Sequence, residues 1–362
     1  MATYNKYIYR QLSRYFFTIF TVSIVMVWLT QALRFVELIT ARGLSLFSFA
    51  KITIQLLIPM TYVVIPVSLF IAAIALLYHL YHEREIIILR NAGLDNWQIL
   101  KPVIIYSLLI CLIHYSISFY FLPKSYRDFK DSKEYYKNQF ATLLLEEGVF
   151  NTQSNNITLY IAEKAGDNYF KGIFIHNMFD NLKPVTIIAE SGYIIRTDTG
   201  PEFVLYNGSH QEKNVKTGNI SIVTFNSYKF SMAKYEPSQI NRQLESNELY
   251  IHQLFTSFNI NDKDTRFNVV NGNQRLIWPL YTALLPLLAG AAVLVGQFNR
   301  RFAWKKVGLA GGIGTLFIVL SLVFNSLATK HIWMVIFMYG NILAALITGI
   351  KLLNWDTRSQ HL

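Results

Sequence analysis

Polar and apolar positions along this chain fall into blocks. Three uncharged hydrophobic runs, at residues 15–33, 52–82 and 102–123, precede a long polar middle at 124–275. Three more runs follow, at 276–299, 307–329 and 331–350. Each run holds 19 or more residues without Asp, Glu, Lys or Arg. An α-helix rises about 1.5 Å per residue, so about 20 apolar residues cross a bilayer core. The pattern predicts six transmembrane helices with one water-exposed insert between the two triplets. The expected units are 1–123 with three helices, the insert 124–275, and 276–362 with three helices.

The stretch YNKYIYRQLSR (4–14) predicts an amphipathic interfacial start, with Tyr4, Tyr7, Ile8 and Leu12 on one face and basic residues on the other. The 31-residue second run is too long for one straight span. Pro59 and Pro66 lie in it, and each removes a backbone donor, so a surface portion up to about Pro59 and then a kinked span are expected. HEREIIILRNAGLDNWQILKP (82–102) then reads as a short helix near 82–93. Glu83 and Glu85 stand at its start, Arg90 in its last turn and Gly93 after it, which is favourable helix-end chemistry. Asp95 and Gln98 have the spacing of a capping box for the next helix. This segment is either a tight loop on the membrane or a docking element for a cytoplasmic partner.

After Glu147 the insert turns to β-rich runs: ITLYIAEKA, YFKGIFIHNM, VTIIAESGYIIRT, EFVLYNGSHQEK and ISIVTFNSYKFSM. Breaks such as AGDN, DNLKP, TDTGP and KTGN separate them. Short strands at this spacing predict an antiparallel sandwich or jelly roll with only partial alternation. Its β-branched and aromatic residues are first of all core. They form a groove only if the layers stay open.

Composition supports membrane burial. Hydrophobic residues are 52% of the 362 and charged residues 15%, where soluble domains carry about 25% charged. The net charge of +11 raises nucleic-acid binding, but basic residues also collect at cytoplasmic helix ends. With the N-terminus inside, inner segments hold twelve basic residues, among them Lys6, Arg10, Arg14, Arg84, Arg90, Lys305 and Lys306, against four outside: Arg34, Arg42, Lys51 and Lys330. The bias puts both termini in the cytoplasm and the insert in the periplasm or an equivalent space, with no role for nucleic acid. The single cysteine, Cys111, falls within a hydrophobic run, so the insert must be held by its own core. The first run exceeds a signal-peptide core and lacks an A-x-A site, so it is read as a retained helix.

Catalytic chemistry is sparse. The eight histidines are scattered, with no metal-ligand cluster, and His114 has no evident partner. There is no G-x-x-x-x-G-K-[ST] phosphate loop, nucleophile elbow or zinc-protease motif. The hydrophobic runs contain no acids of the kind a proton-coupled carrier uses. Small residues in the last helices, such as Gly308 and Gly312 or Gly340 and Ala344, read as packing positions. No enzyme, metal or cofactor is expected.

The layout of three helices, β insert and three helices, together with Tyr81, Glu83, Glu85 and Ile86 followed by Ala92-Gly93-Leu94, resembles the lipopolysaccharide export permeases LptF and LptG (the YjgP/YjgQ family) over essentially the whole chain. LNWDT (353–357) and Arg34 in LTQALRF look more like the F subunit. The resemblance implies an ABC transporter core: a heterodimer with a paralogous permease subunit on a dimeric cytoplasmic ATPase. It would take lipopolysaccharide from the inner membrane. It would pass the lipid to a periplasmic jelly-roll bridge protein and a membrane-anchored jelly-roll subunit. The insert would then be a jelly-roll-like periplasmic domain. The 82–93 helix would couple to the ATPase through Glu83, Arg84, Glu85 and Arg90, with Glu85 on the second glutamate of the motif. Arg34, with Arg42 nearby, would face lipid phosphates. Extraction exposes acyl chains at about 0.8 kcal/mol per CH₂, so an apolar route is expected. Strands at 157–161, 173–175, 203–206 and 220–225 are its expected walls, with Leu205 and Ile222 as groove positions. Two other readings remain: a mechanical ABC-type permease that carries no lipid, and a membrane receptor sensing through its β domain.

Overall fold

The computed structural model describes residues 2–34, 46–141, 147–154, 157–165, 169–178, 180, 182–197, 200–231, 244–256, 263–295 and 303–359. The chain divides into two compact units: residues 1–33, 53–129 and 244–362 in one, and 34–52 and 130–243 in the other.

The first unit is a helix bundle. Among the described residues six helices are long and apolar enough to cross a membrane. Helix α1 (Ala2–Arg34) is unbroken. Its predicted apolar face packs on protein: Ile8 and Leu12 are fully buried, and the Tyr4 hydroxyl donates to the Ile99 carbonyl at 2.9 Å. Residues 4–14 therefore continue the membrane helix instead of forming a separate interfacial piece.

The long second run breaks at Leu56 into α2 (Leu46–Gln55) and α3 (Leu57–His82). The break precedes Pro59, which sits in the first turn of α3, where a missing N–H costs no helical bond. Pro66 lies inside α3. Then come α4 (Glu85–Asn91) and α5 (Asn96–Ser116), a π-helical turn (Ile117–Phe121) and α6 (Leu122–Ala141). Asp95 and Gln98 form the predicted capping box. After the insert follow α7 (Ile251–Thr256), α8 (Lys263–Leu294), α9 (Ala303–Ala328), a 3₁₀ turn (Ile332–Met334) and α10 (Val335–Ser359).

Helix α8 is the centre of the bundle. Its membrane window is 78% buried, against 11% for α1. A small residue makes this possible: a methyl on Gly290 would meet Leu100 at 2.1 Å; between α9 and α3, one on Gly314 would meet Phe70 at 2.1 Å. Gly308, Gly312 and Gly340 differ, because nothing lies within 4 Å of the added methyl. Among the described residues nothing fills their predicted packing role.

In the second unit, the described residues form six strands: β1 (Asn151–Ser154), β2 (Ile157–Lys164), β3 (Tyr169–Asn177), β4 (Val185–Thr197), β5 (Gly200–Lys213) and β6 (Ile220–Ser231). They form one antiparallel sheet in sequence order. The chain is thus the helical membrane protein with an inserted β domain that the sequence predicted.

Between β2 and β6 the ladder is interrupted along one row, Ala162, Gly172, Glu190, Asn207 and Asn226, while the register is kept on both sides. Gly172 and Asn207 have φ of 62° and 49°, and a left-handed residue within a strand redirects the side chains that follow. Buried positions change parity there: Phe170, then Ile173 and Ile175 on β3; Ile187 and Ala189, then Ile194 on β4. This explains the partial alternation. The inward residues form one cluster with Phe203, Leu205 and Phe230.

A candidate coupling face and an apolar trough

The turn into α4 is set by backbone geometry. Glu83 caps α3, and Arg84 adopts a left-handed φ of 62°. This reverses the chain, and Gly93 at φ 84° performs the same service after α4. Glu83 and Arg84 are exposed, and Glu83 lies 3.4 Å from His82. Glu85 sits in the first turn of α4, where a carboxylate is favoured, and accepts a 3.0 Å hydrogen bond from the Tyr7 hydroxyl of α1. Ile86 is buried in the bundle core, while Ile88 is 66% exposed beside the charges. Arg90 points the other way: its guanidinium donates to Asn96 Oδ1 at 2.9 Å and to the Leu294 carbonyl of α8 at 2.6 Å. Glu83, Arg84 and Glu85 therefore share one accessible corner, and Arg90 belongs to the packing beneath it.

Arg34 is the exposed last residue of α1. Arg42 and Glu37 lie outside the described residues. In the sheet, Leu205 faces inward and is fully buried. Ile222 faces outward: it pairs with Gln211, which pairs with Thr186 and so to His176, a polar row, and it is 61% exposed. The inward residue beside it is Val223, in a row with His210, Ile187, Ile175 and Leu159. The last three are essentially buried, yet Val223 is 58% exposed. Along this row the apolar face is thus covered over β2–β4 and open at Val223 of β6, while Phe230 further along β6 is buried. Phe225, half-buried, lies over Gly208, where any side chain would strike its ring.

Sequence reading missed a polar knot. Arg275, at the edge of a hydrophobic run, is 3% exposed. It donates to the carbonyls of Leu249 at 2.5 Å and Ser246 at 2.8 Å. Arg127 on α6 donates to the Glu248 carbonyl at 2.6 Å and to Gln253 at 3.0 Å, and stacks on Tyr250. His114 does have a partner, Thr282 at 2.8 Å. The signal for Arg275 was its position flush against an uncharged run; its partners, being backbone carbonyls, leave no trace in sequence. Among the described residues no three His, Cys, Asp or Glu side chains gather as metal ligands.

Comparison with known proteins agrees with this geometry. An uncharacterized protein, RP871, of Rickettsia prowazekii (strain Madrid E) is 29% identical over 360 residues, 98% of this chain and 99% of its own length. The lipopolysaccharide export system permease protein LptF of Escherichia coli (strain K12) is 23% identical over 172 residues, 47% of each chain, and that of Shigella flexneri matches to the same extent. The family described as lipopolysaccharide export system permease LptF/LptG matches residues 6–355. With its six membrane helices and β insert, this chain belongs to the LptF/LptG family of lipopolysaccharide export system permeases.

Proposed function

We propose that this chain is one permease subunit of an ABC transporter that extracts lipopolysaccharide from the inner membrane and passes it toward the outer membrane. It carries no nucleotide site of its own in this reading. A separate, dimeric cytoplasmic ATPase docks on the corner formed by Glu83, Arg84 and Glu85, and a paralogous permease subunit completes the membrane core. The unfilled small-residue positions Gly308, Gly312 and Gly340 are open to such a subunit or to lipid. Both termini and α4 face the cytoplasm and the β insert faces the periplasm, following the charge bias along the chain. The units are 1–123, 124–275 and 276–362.

The observation that carries the reading is the trough: an apolar face buried over β2–β4 that stays open at Val223 on β6, beside the half-buried Phe225. An acyl chain held there avoids about 0.8 kcal/mol per CH₂ of exposure. β6 is the last strand of the sheet among the described residues, and an edge strand can take a further strand from a periplasmic jelly-roll protein. Arg34, with Arg42, meets the lipid phosphates at the far end of α1, since a guanidinium pairs with phosphate in bidentate fashion.

The deciding experiment is Glu85→Gln in the assembled complex. Loss of the docking charge is expected to cost about 2–5 kcal/mol. The ATPase should then co-purify poorly, or hydrolyse ATP without releasing lipopolysaccharide. Normal assembly with normal release overturns the docking assignment. Purification with no ATPase at all favours a receptor, and a complex without bound lipid favours a mechanical permease.

A further inference from the structure

Helix α8 is gripped at its C-terminal end and again near its middle by arginines that bridge it to other segments. At its C-terminal end the last turn leaves carbonyls without helical partners. Arg90 of α4 takes the Leu294 carbonyl at 2.6 Å, and Lys306 of α9 takes those of Val293 at 3.3 Å and Val295 at 2.7 Å. Cations at this position complement the helix dipole. Toward the other end the relation is reversed, because α8 supplies the arginine. Arg275 holds the carbonyls of Ser246 and Leu249 in the segment by which the chain returns from the β insert. The Glu248 carbonyl between them is held by Arg127 of α6, by which the chain leaves the bundle for the insert. Both connectors to the insert are thus tied to one knot at Arg275.

The stretch between the two grips is tied to its neighbours. Nineteen residues separate Arg275 from Leu294, roughly 29 Å at 1.5 Å per residue, which is about one hydrocarbon core. Pro279 lies inside α8 and lacks the N–H that would bond the Arg275 carbonyl. Ser118, fully buried in the π-helical turn, donates to that carbonyl at 3.0 Å instead. Hydroxyls of Tyr62 and Tyr115 bond the neighbouring carbonyls of Gln274 and Leu276 at 3.3 and 2.8 Å. A second interior proline, Pro286, removes the helical bond to the Thr282 carbonyl, so this stretch is held in place by what packs on it: α8 is the most buried of the six membrane helices.

We propose that Arg90 and Arg275 are positioning residues that make α8 the member carrying movement of α4 to the 246–249 segment. This rests on the reading that the ATPase docks at α4. Arg90 then acts behind the docking face instead of on it, and α8 delivers the stroke where both connectors to the β insert converge.

The test uses the complete transporter in lipid vesicles, with spin labels at Leu112→Cys on α5 and Thr256→Cys on α7 in a Cys111→Ala background. The distance is measured with and without ATP. We expect a nucleotide-dependent shift in the parent, lost in Arg90→Gln and in Arg275→Gln. The ATPase should remain bound and active, and lipopolysaccharide released per ATP should fall roughly ten-fold or more, the scale of a typical site-to-site coupling. Arg90→Lys, which keeps the charge and one donor to Leu294, should recover part of the shift. If Arg275→Gln does not fold, Arg275→Lys replaces it, with a reduced shift expected. A shift that persists in these variants, or is absent from the parent, overturns the proposal. Detachment of the ATPase by Arg90→Gln also overturns it, because Arg90 would then be a docking residue. Retention of the ATPase by Glu85→Gln is a separate result: it removes the docking assignment of Glu85 itself.

Discussion

Replacing Leu205 by asparagine puts an amide where the trough is closed. Leu205 is fully buried within the cluster of Ile173, Ile175, Phe203 and Phe230. Losing a buried leucine costs about 1.5–3 kcal/mol of transfer energy. An unpaired buried amide adds about 1–3 kcal/mol. The sum, about 2.5–6 kcal/mol, is a large part of the ~5–15 kcal/mol that holds a domain together. Val223→Asn places the same amide on the same face, but at a position already 58% exposed. Its stability cost should stay within about 0.5 kcal/mol. Ile222→Asn, 61% exposed on the opposite face, is the control. Each variant is scored in the full chain by thermal unfolding of the insert, followed by limited proteolysis, and by photo-cross-linking of lipopolysaccharide to β6. Leu205→Asn should unfold the insert at a clearly lower temperature. Val223→Asn should keep its melting temperature and lose lipid adducts, and Ile222→Asn should change neither. If Val223→Asn destabilises as Leu205→Asn does, the face is closed at β6 too and lipid travels elsewhere. If Ile222→Asn removes adducts equally, the trough is not the contact.

A photo-reactive residue at Leu33 or Arg34 should give lipopolysaccharide adducts; bulk phospholipid adducts alone would reduce Arg34 to ordinary headgroup contact. Gly290→Val should destabilise the bundle by about 1–3 kcal/mol through overpacking against Leu100, while Gly312→Val, with nothing within 4 Å, should leave the isolated chain's melting temperature unchanged. Asn341→Leu removes bonds to the Tyr281 hydroxyl and the Phe317 carbonyl and should lower stability by about 1–3 kcal/mol in a detergent unfolding series.

The sequence alone determined the membrane helices, the β insert and the capping box that starts α5; Glu83, expected at the start of α4, instead caps α3, and α4 begins at Glu85. Those features depend on local rules: run length against bilayer thickness, strand-forming composition between turn residues, and caps such as Asp95 with Gln98, three residues apart. Only the tertiary structure decided which residues point where. A strand's side chains alternate with period two, so the row through Gly172 and Asn207 exchanges inside and outside without changing composition. Ile222 and Val223 look alike in sequence, and only the pairing with Gln211 and His210 assigns their faces. The grips on α8 were hidden for a related reason. Arg90 and Leu294 are 204 residues apart, and a carbonyl acceptor is present at every position. No side-chain pattern marks which carbonyl an arginine will meet; the packing of α4 and α8 alone brings those two together.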